Sequence, residues 1–178
     1  SVDTSYNDTK TSDKCAIGVF GLTKNFECYL LDLVYDVLSF RDTKLRIAKF
    51  IEKYINYSAL IIELKANGQA VLEDIRRSFP RVIPYTPTES KRARVALISP
   101  ILQGKGLYLP KNNIGDEMYA QLIAFRGEGK REKDDLVDIL TQCLIYCDKY
   151  FRDGLSLSSI KTITNNSLYG SSEYAIEN

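Results

Sequence analysis

A chain of 178 residues and 20.2 kDa has the size of one domain, long enough to bury about 70% of the surface its unfolded form exposes. Hydrophobic residues at 44% and charged residues at 26% exclude a disordered chain, and a net charge of +1 gives no bulk pull toward a polyanion. The histidine count of 0 excludes Ser-His-Asp and Cys-His nucleophile systems, HExxH zinc sites and histidine proton shuttles, leaving carboxylates, lysines, hydroxyls and thiols for any chemistry.

In chain order, Ser1 to Tyr6 is expected to form a first strand, cut short at its start. Lys14 to Leu22 and Phe26 to Val37 are rich in β-branched and aromatic residues and flank a polar turn at Thr23–Asn25, the pattern of a hairpin. Arg41 to Asn56 changes period, with Leu45, Ala48, Ile51 and Ile55 on one helical stripe. Ala59 to Leu64 (ALIIEL) is a short apolar run suited to a strand buried on both faces. A helix opens at Asn67-Gly68 and stops before Pro80, and Val82 to Tyr85 is a further strand. Ser90 to Leu102 reads as helix, Gly106 to Leu109 as a brief strand and Asp116 to Phe125 as helix. Gly127 to Lys133 is a charged connector, followed by a strong helix from about Asp134 to Tyr150.

The polar stretch 160–178 is expected to be a weakly ordered tail on a single 1–178 domain. An antiparallel set of three strands followed by alternating helices and strands predicts an α/β fold, a mixed sheet with helices on both faces. Neither a bilayer-length apolar run nor a basic-then-apolar leader is seen, so no membrane association or secretion is expected. Cys15, Cys28, Cys143 and Cys147 form no CxxC pair and read as reduced thiols of a cytosolic protein rather than a zinc site.

Charge is unevenly spread. Residues 1–40 carry Asp3, Asp8, Asp13, Glu27, Asp32 and Asp36, whereas residues 76–94 carry Arg76, Arg77, Arg81, Lys91, Arg92 and Arg94 against Glu89 alone. Such a pairing suits a metal-dependent enzyme acting on a phosphate polymer, or simply two solvated faces. Three acidic spots fall where the surroundings should be apolar: Asp3 beside Val2, Glu63 within Leu60–Leu64, and Asp134, Asp135 and Asp138 at the head of the last helix. Asp134 and Asp138 are one turn apart on one face. A charge near a buried strand costs several kcal/mol unless it is paired, protonated or metal-bound. Structural alternatives stand beside the metal reading: a terminal residue for Asp3, a salt bridge to Lys65 or Lys91 for Glu63, and helix-capping acids for Asp134 and Asp135.

The order of these pieces resembles the ribonuclease H-like nuclease superfamily and, more narrowly, the C-terminal nuclease domain of phage large terminase subunits. The matching segments are VDTSYNDTKTSDKCAIGVFG at 2–21, LIIELKANG at 60–68, TESKRARV at 88–95, GKGLYLP at 104–110 and KDDLVDIL at 133–140. The resemblance implies metal ligation by Asp3, Glu63 and Asp134 or Asp135, with Asp138 as a further contributor. Lys133 stands where family members often carry a histidine. The resemblance also implies a metal-dependent endonuclease cutting double-stranded DNA; a two-ion mechanism with Mg2+ or Mn2+ is expected, with Asp3 bridging the ions, and an all-oxygen donor set suits such hard ions.

Arg76, Arg77, Lys91, Arg92 and Arg94 are the expected DNA contacts. No GxxxxGK[ST] motif is present, so the chain is expected to be the nuclease part of a phage protein in the host cytoplasm. Its ATPase motor would lie outside this chain, and its partners would be the portal and the small terminase subunit. A resolvase- or integrase-like recombination nuclease, or a non-catalytic DNA-binding module on the same scaffold, are the alternatives.

Overall fold

A strand of only two residues takes a central place. In the computed structural model, which describes residues 1–4, 14–63, 68–127 and 133–152, strand β1 (Val2–Asp3) lies between β4 (Leu60–Glu63) and β2 (Cys15–Leu22) in a sheet of order β5-β4-β1-β2-β3-β6. Strand β3 (Cys28–Asp36) continues the antiparallel meander, β5 (Val82–Tyr85) runs parallel to β4, and β6 (Leu107–Tyr108) runs parallel to β3. β1 is antiparallel to β2 and parallel to β4, the mixed sheet expected from the sequence. The connector residues 128–132 and the expected tail at 160–178 lie outside the described residues. Ser1–Ile145 forms one compact unit, and Tyr146–Asn178 is a second whose only described part is the end of the last helix.

Alternation along the strands sends successive side chains to opposite faces. Val2, Cys15, Ile17, Leu60 and Ile62 project to one face, where they pack on Ile47 of α1 (Phe40–Lys53) and Ile75 of α2 (Gly68–Ser78). Ala16, Leu30 and Leu33 project to the other, Leu30 and Leu33 sharing it because the β2–β3 register shifts by one residue between them, against Met118 of α4 (Asn113–Ala124) and Leu136 and Ile139 of α5 (Asp135–Arg152). Ile98 of α3 (Lys91–Lys105) joins Cys28, Leu140 and Leu144 on this second face. All four cysteines are free thiols.

Where element limits differ from those read in the sequence, local chemistry explains it. Helix α4 starts three residues early because the Asn112 side chain accepts the Gly115 N–H and caps it. Gly115 is required there: a Cβ would meet the Pro110 carbonyl oxygen at 1.9 Å. The β2–β3 turn runs on to Glu27 because Phe26 adopts a left-handed φ of 69° and donates its N–H to the Thr23 carbonyl.

Candidate metal centre

Asp3 and Glu63 reach the same place by the same device. Val2 is the register partner of Ile62, so the next residue of each parallel strand, Asp3 and Glu63, stands at the matching C-terminal end. Val2 and Ile62 face α1 and α2, so the pleat turns Asp3 and Glu63 to the opposite face, beneath α5. There Asp138, one turn into that helix, completes a group. Single carboxylate oxygens of Asp3, Glu63 and Asp138 all lie within 4.8 Å of one another. Asp3 is 2% exposed and Asp138 5%, so both charges are taken almost fully out of water.

Helix α5 is held over the strands by polar as well as apolar contacts. The Gln142 amide, one turn beyond Asp138, donates to Ser1 Oγ (2.8 Å), the Ile61 carbonyl (3.1 Å) and the Val2 carbonyl (3.3 Å). It therefore clips the helix to the two strands that carry Asp3 and Glu63. At the helix start, Gln121 of α4 accepts the Leu136 N–H at 3.1 Å, satisfying one of the open first-turn donors.

The acids at the head of α5 separate. Asp134 and Asp138 share a face, and the Lys91 ammonium bridges them at 2.6 and 2.7 Å. Asp135, rotated by about 100° from Asp134, instead accepts a 2.8 Å hydrogen bond from the Tyr35 hydroxyl. Tyr35 pairs with Ala16, which pairs with Asp3, so it stands two strands from Asp3 on the side away from Glu63. At about 4.8 Å per strand that is roughly 10 Å. The geometry brings Asp138, not Asp135, to the first-strand acid.

The basic residues separate as well. Arg94, expected on an exposed strip, is 3% exposed and points inward: its guanidinium meets Asp138 Oδ1 at 2.9 Å and the Thr141 hydroxyl at 3.4 Å. Arg92 is exposed. Arg76 and Arg77 are exposed too but end α2. That helix runs back from the Glu63 end of β4 to the start of the parallel β5, on the face opposite α5. They lie at the other end of the sheet from the acids.

The surroundings set the ionisation of the cluster. Burial pushes the Asp138 carboxyl up from its ordinary range, with Lys91 and Arg94 pulling the other way. Burial disfavours the Lys91 ammonium, but hydrogen bonds to Asp134 and Asp138 outweigh it, and the group titrates above an ordinary lysine. The Tyr85 hydroxyl, on the register partner of Glu63, is raised by burial.

A divalent cation fits this donor set. The ligand atoms are all carboxylate oxygens, as hard Mg2+ or Mn2+ requires, and no imidazole exists in the chain to favour zinc. Sequence reasoning missed Gln142 and the inward Arg94. Both carried a signal: Gln142 lies four residues beyond Asp138, and Arg94 four before the buried Ile98.

The family model of the terminase RNaseH-like domain matches residues 1–146. No curated protein matches. Among solved structures, the large terminase of a thermophilic bacteriophage aligns with a TM-score of 0.58 at 17% identity, over 81% of this chain. This chain spans 38% of that one. The yeast mitochondrial Holliday junction resolvase Ydc2 aligns at 12% identity with a TM-score of 0.48, over 80% of this chain and 75% of its own.

Proposed function

Because this chain belongs to the terminase RNaseH-like domain family and has a ribonuclease H-like fold, we propose that it is a metal-dependent endonuclease that hydrolyses double-stranded DNA. The observation that carries this reading is the convergence of Asp3, Glu63 and Asp138 from three separate elements within 4.8 Å. Asp3, Glu63 and Asp138, with Asp134 beside them, are the residues that would hold Mg2+ or Mn2+. Such ions, when bound as a pair, supply an activated water and a counter-charge for the departing 3′ oxygen.

The protein's own part is placement and shielding. Asp3 and Glu63 are fixed by β1 and β4 at the sheet's end, and Asp138 is fixed by Arg94 behind it. A rigid carboxylate set would hold such ions in place, so that no reorganisation is needed as charge develops on the phosphate. Arg92, exposed one residue from Lys91, is the basic side chain suited to a backbone phosphate, and phosphate contact of this kind carries no sequence preference. The ATPase motor, portal and small terminase subunit belong to this reading as partners outside the chain, and the host cytoplasm as its setting.

The test is cleavage of a plain linear duplex with Mn2+ by the wild type and by Asp3→Asn. The reading expects non-specific cutting by the first and none by a folded second. Equal cutting by both overturns the site, and strong preference for junction DNA over duplex overturns the substrate.

A further inference from the structure

We propose that Lys91 is the resident counter-cation of this cluster, holding its Asp134–Asp138 side closed to a second divalent ion until a DNA phosphate draws the ammonium away. The inference rests on reading the cluster as a divalent-ion site, and it concerns how that site fills.

Lys91 and Arg94 both pair with Asp138, yet they are built differently. Arg94 is buried, with Thr141 behind it, and its planar fork is held in one geometry. Lys91 keeps 42% of its side chain exposed, and its ammonium is a point charge on a flexible stem. Arg94 orients Asp138, and Lys91 can leave.

The position of Lys91 also calls for an outside partner. It is the first residue of α3, where the helix dipole favours anions, and the first turn of that helix contains no acid. Three cations there, Lys91, Arg92 and Arg94, oppose the dipole. What offsets this is the pair of carboxylates at the head of α5, Asp134 just before the helix and Asp138 in its first turn, with the ammonium 2.6 Å from Asp134 Oδ2 and 2.7 Å from Asp138 Oδ2. An ammonium between two carboxylates occupies the place a cation bridging them would take. One oxygen each of Asp3, Glu63 and Asp138 lie within 4.8 Å of one another, so a first ion held there would share Asp138 with Lys91 and Arg94. The first ion then binds to the free protein, and the second awaits a phosphate able to exchange with Asp134 and Asp138 for Lys91.

Manganese alone, titrated calorimetrically with bound ions counted by electron paramagnetic resonance, tests this on the full chain. Wild type is compared with Lys91→Met and with Lys91→Gln, which removes the charge but keeps a polar end. Circular dichroism and melting confirm that each is folded. The wild type should bind one ion, and both variants a second, or bind it tighter by about tenfold or more, given one charge removed a few ångströms away. A nuclease-resistant phosphorothioate duplex should bring the second ion to the wild type.

Two ions of similar affinity in the free wild type would overturn the proposal, and so would variants that titrate as the wild type does. If wild type and variants alike bind no ion, the divalent-site reading itself fails, a result distinct from either of those.

Discussion

Arg76 and Arg77 close helix α2, whereas Lys91, Arg92 and Arg94 open helix α3. At the end of α2 two exposed cations complement the helix dipole and need no partner. At the start of α3 the same charge type opposes the dipole, and two of the three side chains are turned onto Asp134 and Asp138 at the head of α5. One cluster is a solvated helix end; the other is built into the carboxylate site. Cations in a first turn that lacks its own acid therefore point to an acid elsewhere in the fold.

Four variants sharpen that contrast, the largest effect first. Asp3→Asn should remove Mn2+-dependent cleavage entirely while circular dichroism and melting stay close to wild type, since the amide keeps the shape of the side chain. Arg94→Met should lower stability by about 3–5 kcal/mol, because it strips the buried Asp138 of its fixed partner. Urea unfolding would read this, and a loss below about 1 kcal/mol, the scale of a surface pair, would show that Arg94 does not sit in the core. Arg92→Ala should leave the fold intact and reduce the salt slope of DNA binding by about 1. Arg76→Ala with Arg77→Ala should change neither cleavage nor that slope, because both residues stand at the far end of the sheet. A slope reduced by about 2 in this double variant would place the DNA on the α2 face and reverse the comparison.

The sheet was legible because its strands carry their own local signals. Leu60–Glu63 lies inside the apolar run ALIIEL, and Val82–Tyr85 appears with the limits read from the sequence. Glu63 stands out as an acid embedded in such a run, and Asp3 only by its place beside Val2 in the first expected strand. The head of α5 was only half legible. Spacing puts Asp134 and Asp138 on one face, but which face meets the strands depends on packing by Leu136, Ile139 and Leu140. Asp135, next in line to Asp134, goes to Tyr35 instead.

The basic residues were least legible, since charge alone reads as surface. Arg94 is in step with the buried Ile98 and the partly buried Leu102, a core-facing stripe that outweighs its charge once Asp138 is there to receive it. Lys91 meets Asp134 and Asp138 across more than forty residues of chain, a contact that no local pattern encodes.

Three carboxylates, delivered by a first strand, a parallel neighbour and a helix, should make one cation site. Anomalous diffraction from a crystal soaked in manganese tests it most directly. A peak should appear in contact with Asp3, Glu63 and Asp138. Full soaking that leaves those oxygens without a peak, or puts the metal at other acids, would contradict it.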